Sequence, residues 1–310
     1  MIDNTFQLKE LLGIGGSSKV YNSISDEGQE YAIKIVRKDK GYSEEMSKKI
    51  VENEHFLSLK LGQHPNLVNI LGYNTEGRAQ LADGVHSINY LLMEKCQNGA
   101  LSSIIRQTGP LEEDISKFII LQLCSAVKFI HENFVHMDIK LENILLDDYF
   151  NVKLADLGTF VDVSDTMGYT DKRRGTLHYM APEVLNMKQS DSINGRLSDI
   201  YSLGVCLHLL LTGEFPDKKQ FSDELSVETE SSEELINEPQ KHEKGMVNFL
   251  SDDARDLLSK MLSEDPFFRI DMDNILNHPW LTDSSSQDIQ EKVFLEMKAR
   301  SDYISSIRDE

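Results

Sequence analysis

Hydrophobic and polar positions follow two different spacings along the chain. The first ninety or so residues contain runs rich in aromatic and β-branched side chains, such as YAIKIV (31–36) and INYLLME (88–94), which predict strands. Between these runs, apolar residues in 44–61 recur at helical spacing, and the break at GQHPNL (62–67) predicts where that helix ends. Beyond residue 99 the spacing is mainly helical, so the pattern predicts an α+β protein with a small strand-rich part and a larger helical part.

The helical part contains four predicted helices, at residues 113–133, 197–213, 251–262 and 274–281. Segment 197–213 is apolar on nearly all sides, which predicts a buried helix, and Gly213 suits its C-terminal end. Residues 217–245 hold nine acids and four bases with little apolar content, which predicts a solvated loop. Residues 282–310 predict a last helix, whose apolar stripe would dock on the same domain or on a partner.

The charge balance and the cysteines disfavour several classes of protein. The 310 residues include 52 acids and 32 bases, a net charge of −20, which disfavours nucleic acid as a partner. The three cysteines lie far apart in the sequence, which disfavours disulfides and zinc and favours a reducing compartment. The chain shows neither a signal-peptide pattern nor an apolar run of bilayer length, so we expect a cytoplasmic protein with access to the nucleus and no membrane partner.

The first unusual segment is FVHMDIKLENILL (134–146), where Asp138, Lys140 and Asn143 interrupt an apolar run. Polar groups near buried backbone are costly unless they are paired or used. The three residues therefore form either a buried structural network or a functional site.

The second segment is LLGIGGSSKVY (11–21), which has three glycines within four positions. Glycines let backbone N–H groups approach the phosphate oxygens of a ligand, although an ordinary hairpin turn has the same composition. The spacing differs from GxxxxGK[ST], and no helix of a βαβ unit follows, so a P-loop and a dinucleotide fold are both disfavoured.

Two charges stand at positions where apolar residues are expected. Lys34 shares a strand face with Ala32 and Val36, and Glu54 lies on the apolar face of the predicted helix 44–61. Opposite charges in such places are explained if they pair with each other. Glu52 is an alternative partner, but it lies off the apolar face.

Two later motifs complete the set of candidates. In VKLADLGTF (152–160), Asp156 follows a strand-like run, and together with Asn143 it offers the oxygen ligands that Mg²⁺ prefers. The last motif is RRGTLHYMAPEV (173–184).

These motifs, in this order, resemble those of a eukaryotic protein kinase catalytic domain over residues 6–281. The motifs around Lys140 and Gly175-Thr176 are similar to the serine/threonine type, and LNHPWL (276–281) points to the calcium/calmodulin-kinase-like branch. The resemblance implies a bilobal fold with a small antiparallel N-terminal sheet, one main helix and a larger helical C-terminal lobe. The implied divisions are an N-lobe at 1–94, a hinge at 94–98, a C-lobe at 95–281 and a tail at 282–310.

The resemblance also implies roles for individual residues. The implied catalytic set is Asp138, Lys140, Lys34, Glu54 and Thr176. Asp138 would accept the proton of the substrate hydroxyl, and Lys140 would stabilise negative charge on the transferring phosphoryl group. Asn143 and Asp156 would hold Mg²⁺.

ATP is the implied cofactor together with Mg²⁺. The implied ATP-binding residues are Leu12, Gly13, Ile14, Gly15, Gly16, Ser17, Ser18, Val20, Ala32, Lys34, Met93, Glu94, Cys96, Leu145 and Asp156. The chain departs from the family pattern at Ser18, Ser58, Met137 and Leu157. A pseudokinase or scaffold on the same fold is therefore the alternative, and its mark would be loss of Lys34, Asp138 or Asp156.

Substrates and regulation follow from two more positions. The implied substrates are proteins with Ser or Thr acceptors, and Glu142 predicts a preference for basic residues upstream of the acceptor, although Ala100 replaces an acid that some relatives use.

Met137 occupies the place of an arginine that reads loop phosphorylation in the family, so we expect activity without that modification.

Overall fold

A computed structural model of the chain describes residues 1–37, 40–81, 84–216, 250–282 and 288–308. The described chain begins with a five-stranded antiparallel sheet in the order β1-β2-β3-β5-β4. Its strands are β1 (Phe6–Ile14), β2 (Ser18–Ser25), β3 (Glu30–Val36), β4 (Ile70–Leu81) and β5 (Gly84–Glu94). One face of the sheet, which carries Val36 of β3 and Leu91 of β5, packs against a helix.

That helix is α1 (Glu44–Leu61), as the apolar spacing predicts. The Ser43 side chain accepts a hydrogen bond from the Met46 amide at its start, and Gly62, with φ of 86°, follows its end. Val51 packs with Val36 and Leu91 of the sheet. The helix therefore carries Glu54, which is 3% exposed, onto the face of the sheet that holds Lys34.

The C-terminal part is mainly helical. Its helices are α2 (Leu101–Thr108), α3 (Glu113–Ile130), α4 (Pro182–Leu185), α5 (Gly195–Thr212), α6 (Asp252–Met261), α7 (Met272–Leu276), α8 (Pro279–Thr282) and α9 (Asp288–Arg308). Three two-stranded pairs lie among them: β6 (Phe134–Val135) with β9 (Val161–Asp162), β7 (Ile144–Leu146) with β8 (Val152–Leu154), and β10 (Tyr169–Thr170) with β11 (Ile193–Asn194).

Helix α5 is buried along most of its length, as its uniform apolar character predicts. Asn194 accepts hydrogen bonds from two amides at its start, and Gly213 lies just past its end with φ of 75°. The predicted α+β fold, a small sheet with one main helix followed by a helical lobe, is therefore confirmed.

The structure also corrects two helix boundaries. Helix α3 ends at Ile130, three residues before the predicted end. The predicted helical segment 274–281 contains two short helices, α7 and α8, because Pro279 lacks the N–H that would continue the helical ladder. The predicted acidic loop 217–245 lies outside the described residues. Among the described helices, none combines the length and the apolar character that a membrane crossing requires.

Candidate active site

Asp138, Lys140 and Thr176 form a closed triangle of side chains. Lys140 Nζ donates to Asp138 Oδ2 at 2.7 Å and to Thr176 Oγ1 at 2.7 Å. Thr176 Oγ1 donates in turn to Asp138 Oδ1 at 2.7 Å. The structure thus brings the loop after α3 and the segment before α4 to one point, with a carboxylate that is only 7% exposed.

Asp199, at the start of α5, holds the loop that carries this triangle. Its carboxylate accepts hydrogen bonds from the amides of His136 and Met137, both at 2.8 Å, and contacts the His131 ring nitrogen at 2.9 Å. Met137 has φ of 66°, an uncommon value for a residue with a side chain, and its side chain is buried in the helical core. The buried carboxylate of Asp199 therefore fixes a bent backbone next to Asp138.

A second cluster joins the sheet, α1 and the start of the segment after β8. Lys34 Nζ contacts both oxygens of Glu54, at 2.7 and 2.9 Å, and Asp156 Oδ1 at 2.7 Å. Glu52 is exposed on the same helix. Glu54, the acid on the apolar face, is therefore the one that lies beside Lys34, as the sequence predicts.

The charges in this cluster shift one another's ionisation. The Lys34 ammonium lowers the pKa of Asp156 to about 2, against the opposing effect of burial. Burial alone would lower the pKa of Lys34, but the carboxylates of Glu54 and Asp156 outweigh it and raise that pKa well above its ordinary value. Lys34 and Asp156 are therefore both charged at neutral pH.

Strand register places the proposed nucleotide-contacting residues of the sheet on one face. Val20 lies opposite Lys34 in the β2–β3 pair, and Ala32 lies opposite Met93 in the β3–β5 pair. Directly opposite residues in an antiparallel pair project to the same face, as do residues two apart in one strand. Val20, Ala32, Lys34 and Met93 therefore line the face toward Asp156.

The glycine-rich turn between β1 and β2 leaves open space. A Cβ added at Gly13 or Gly16 would meet no protein atom within 4 Å, so packing does not require glycine there. The turn is closed by a hydrogen bond from the Gly15 amide to the Ser18 carbonyl at 2.8 Å, and Ser18 is buried at the start of β2. Leu12 and Ile14 are exposed in β1, and Ser17 is partly buried. The backbone can therefore approach a phosphate group closely.

The segment after β5 connects the two lobes. Among the hydrogen bonds between described residues, the Cys96 amide donates to no protein acceptor, so it is available to a ligand. The Glu94 side chain turns away to bind the Asn69 amide at 2.7 Å and Lys153 Nζ at 3.0 Å, contacts that the sequence did not predict. Leu145 of β7 forms a bridge with Ala100 just beyond this segment.

Asn143 and Asp156 lie next to each other through the backbone. The Ala155 amide donates to the Asn143 carbonyl at 2.8 Å, and the Asn143 side-chain amide donates to the Asp138 carbonyl at 2.9 Å. Asn143 Oδ1 and Asp156 Oδ2 accept no hydrogen bond from the described residues. Two oxygens of the kind that Mg²⁺ prefers are thus available, so the residues present fit the implied cation and its nucleotide.

A buried ion pair supports the segment that carries Thr176. Arg269 Nη1 and Nη2 donate to the two Glu183 oxygens at 2.6 and 2.9 Å, and Arg269 also binds carbonyls of Leu197 and Ser263. Such bidentate pairs fix geometry as well as contributing energy. The pair joins α4 to the helices at the base of the lobe.

The structure also shows contacts and a cleft that sequence reasoning missed. Arg174 Nη1 donates to the carbonyls of Thr159 and Phe160 at 3.1 and 3.4 Å, and Lys60 of α1 forms an ion pair with Asp162. A cleft of about 530 Å³ opens behind α1, with Ser58 and Leu157 in its wall. Ser58 departs from the family pattern, but this departure does not predict the cleft. No local signal in the sequence predicts the contacts of Arg174 or Lys60.

A five-stranded sheet over a helical lobe, with a Lys–Glu–Asp cluster facing an Asp–Lys–Thr triangle, defines the catalytic domain of a protein kinase. The protein kinase domain family matches residues 6–281, so the chain belongs to that family.

Named relatives include kinases from distant organisms. Serine/threonine-protein kinase 33 of Mus musculus is 31% identical over 310 residues, which cover 96% of this chain and 58% of that protein. Serine/threonine-protein kinase ULK3 of Homo sapiens is 33% identical, with 89% of this chain and 54% of that protein covered. CBL-interacting protein kinase 5 of Oryza sativa subsp. japonica is 32% identical, with 89% and 56% covered. The chain thus spans a little over half the length of these relatives.

Proposed function

We propose that the chain is a serine/threonine protein kinase that transfers the γ-phosphoryl group of Mg·ATP to Ser or Thr hydroxyls of proteins. The observation that carries the proposal is the cluster in which Lys34 contacts Glu54 and Asp156 at 2.7 Å each. A pseudokinase is the alternative, but Lys34, Asp138, Asn143 and Asp156 are all present and assembled. The departures at Met137 and Leu157 are buried apolar side chains within the helical core.

The chain's own residues suit this reaction. Bound Mg·ATP supplies the transferable phosphoryl group and cations that neutralise its charge. Asp138 presents a carboxylate that can orient a substrate hydroxyl and accept its proton. Lys140, 2.7 Å from that carboxylate, holds a fixed positive charge at the place where negative charge develops.

The nucleotide site would use the residues that face the cleft between the lobes. Lys34 would hold the phosphates, and the glycine turn 13–18 would cover them, because its backbone leaves open space there. Asn143 Oδ1 and Asp156 Oδ2 would bind Mg²⁺. The Cys96 amide would bind the edge of the base, with Val20, Ala32 and Leu145 against its faces.

A direct assay tests the proposal. The chain is incubated with γ-labelled ATP, Mg²⁺ and a generic basic protein substrate, and the labelled amino acid is identified by hydrolysis. We expect label on Ser or Thr, and its loss when EDTA removes Mg²⁺. Nucleotide binding without label transfer would favour the pseudokinase instead.

We propose a mild preference for substrates with basic residues upstream of the acceptor. Glu142 is exposed four residues after Asp138, and its Oε2 accepts a hydrogen bond from the Tyr179 hydroxyl at 3.1 Å, which orients the carboxylate. Because exposed ion pairs contribute little, Glu142→Gln should weaken the selection of basic peptides by only about 2- to 5-fold on a peptide array. Glu132→Gln, at another exposed acid, serves as the control and should leave the selection unchanged. Indifference of the unmodified chain to basic residues would refute the proposal.

We also propose that the chain is active without phosphorylation of the segment between Asp156 and Glu183. Direct contacts support that segment: the β10–β11 pair, the Arg174 hydrogen bonds and the Lys60–Asp162 ion pair. The place of a phosphate-reading arginine is taken by Met137, whose side chain is buried among apolar residues. After complete phosphatase treatment, checked by mass spectrometry, the chain should keep most of its kinase activity. Full loss of activity would contradict this prediction.

The same division of the chain is proposed: an N-lobe at 1–94, a hinge at 94–98, a C-lobe at 95–281 and a tail at 282–310. A role in cytoplasmic signalling, with access to the nucleus, is consistent with the composition of the chain. Imaging of the tagged full chain in cells tests that location.

A further inference from the structure

Helix α9 lies beyond residues 6–281, which the kinase family matches, yet it is built into the helical lobe. Val293, Met297 and Ile304 are buried in the same core as α3 and α5, and Met297 is 0% exposed. The helix packs against α2 and α3. The predicted apolar stripe therefore docks on the chain's own C-terminal lobe.

Arg300 of α9 binds the end of α2. Its Nη1 donates to the Thr108 carbonyl at 3.2 Å, to Thr108 Oγ1 at 2.8 Å and to the Gly109 carbonyl at 3.0 Å, and its Nη2 donates to the Pro110 carbonyl at 3.0 Å. The last carbonyls of a helix have no partner within the helix, so a guanidinium with several N–H donors suits this place. Glu296 accepts from Arg300 Nε at 2.8 Å and orients the side chain.

A second contact of α9 reaches the turn between β7 and β8. The ring of Phe294 packs edge-on against Phe150, with centroids 5.8 Å apart and an interplanar angle of 67°. Phe150 is buried and has φ of 61°, an uncommon value for an aromatic residue. An uncommon backbone conformation persists only where the surrounding structure holds it, and Phe294 is part of the surroundings of Phe150.

The contacts of Arg300 and Phe294 are both connected to the hinge, which forms part of the proposed nucleotide site. The hinge segment is bound to β7 by hydrogen bonds from the Asn98 amide to the Leu146 carbonyl at 3.1 Å and from the Leu146 amide to the Gly99 carbonyl at 2.9 Å. The Asn98 side chain also donates to the Asp147 carbonyl in the β7–β8 turn at 2.6 Å. Helix α2 begins directly after this segment. The hinge is therefore connected to both parts of the lobe that α9 contacts. It continues directly into α2, and its hydrogen bonds join it to β7, which carries Leu145, and to the β7–β8 turn.

We propose that α9 sets the geometry of the nucleotide site, with Arg300 and Phe294 as positioning residues for ATP binding. Arg300 fixes the far end of α2, and Phe294 fixes the turn that follows β7, so together they orient the hinge amide of Cys96 and the side chain of Leu145. This inference rests on the proposed nucleotide site of the kinase.

The test uses the full chain with Arg300→Gln, Phe294→Ala and the control Leu295→Ala, whose side chain is 59% exposed on the same helix. The dissociation constant of the non-hydrolysable analogue Mg·AMP-PNP is measured by calorimetry, beside KM for ATP and kcat. Since coupling between sites commonly changes an affinity about 5- to 150-fold, we expect binding to weaken within that range in the first two variants and to stay unchanged in the control. Arg300→Lys should recover part of the affinity.

A purely structural role for α9 gives a different result. Arg300→Gln and Phe294→Ala would then lower the melting temperature, while the folded protein would bind the analogue as the unmodified chain does, and the inference would be overturned. If Phe294→Ala does not fold, Phe294→Leu decides on the same measure. Failure of the proposed function is distinguishable, because it would appear as no label transfer by the unmodified chain whatever the variants bind.

Discussion

We expect Asp138→Asn to lower kcat for phosphoryl transfer by about 10²- to 10⁴-fold, the usual contribution of a positioned general base. Asparagine keeps the shape of the side chain but replaces one acceptor oxygen with an N–H donor. In the unmodified chain both oxygens of Asp138 accept hydrogen bonds, one from Lys140 and one from Thr176, each at 2.7 Å. The variant therefore loses the proton acceptor and disturbs the triangle that holds it.

Nucleotide binding separates this loss from a loss of folding. Asp138 is not among the proposed nucleotide ligands, so the variant should be stabilised by Mg·ATP against thermal unfolding to about the same degree as the unmodified chain. Asp148→Asn, at an exposed acid in the β7–β8 turn, is the matched control and should keep full activity. Equal label transfer by Asp138→Asn and the unmodified chain would refute the catalytic role of Asp138.

We expect Lys34→Met to abolish phosphoryl transfer and to lower the free energy of unfolding by about 3–5 kcal/mol, because it leaves a buried carboxylate without its counter-ion. The affected carboxylate is Glu54, whose side chain is 3% exposed, whereas that of Asp156 is 34% exposed and can be hydrated. Lys49→Met, on the exposed side of α1 where Lys49 pairs with Glu45, should change stability by less than about 1 kcal/mol.

A double variant distinguishes the structural role of Lys34 from its role in the reaction. Replacing a buried ion pair by apolar residues of similar volume is often neutral or stabilising, so Lys34→Met with Glu54→Leu should recover most of the lost stability. The double variant should still fail to transfer the phosphoryl group, because the lysine proposed to hold the nucleotide phosphates is absent. Urea denaturation and the labelled-ATP assay measure the two effects. Activity in the double variant would contradict the role proposed for Lys34.

Much of the fold follows from local patterns. The aromatic and β-branched residues of β3 and β5 and the helical spacing in α1 are present within short windows, and the structure has these elements at those places. The proximity of Lys34 to Glu54 was also predictable, because a charge on an apolar face is costly unless it is paired. Helix α5 followed from its uniform apolar character and from Gly213.

Other features depend on residues that are far apart in sequence. Arg174 carries no local sign that it binds the carbonyls of Thr159 and Phe160, and Glu94 was expected as an ATP-binding residue, not as a partner of Lys153. The early end of α3 shows the same limit, since the helical pattern continues past the last residue in the helix. Tertiary packing overrides weak local preferences at such places.

The sequence by itself determined the strand-rich and helical parts, the position of α1, the kinase motifs and the residue types that could carry the chemistry. Periodicity, glycine content and charged residues at apolar positions are features of short sequence windows, so they can be recognised without the fold. Only the tertiary structure decided how Lys34 meets Asp156 across 122 positions and how Arg300 reaches Thr108 across 192. Hydrogen bonds and ion pairs act only at short range, and which distant residues come within that range is set by the packing of the whole core.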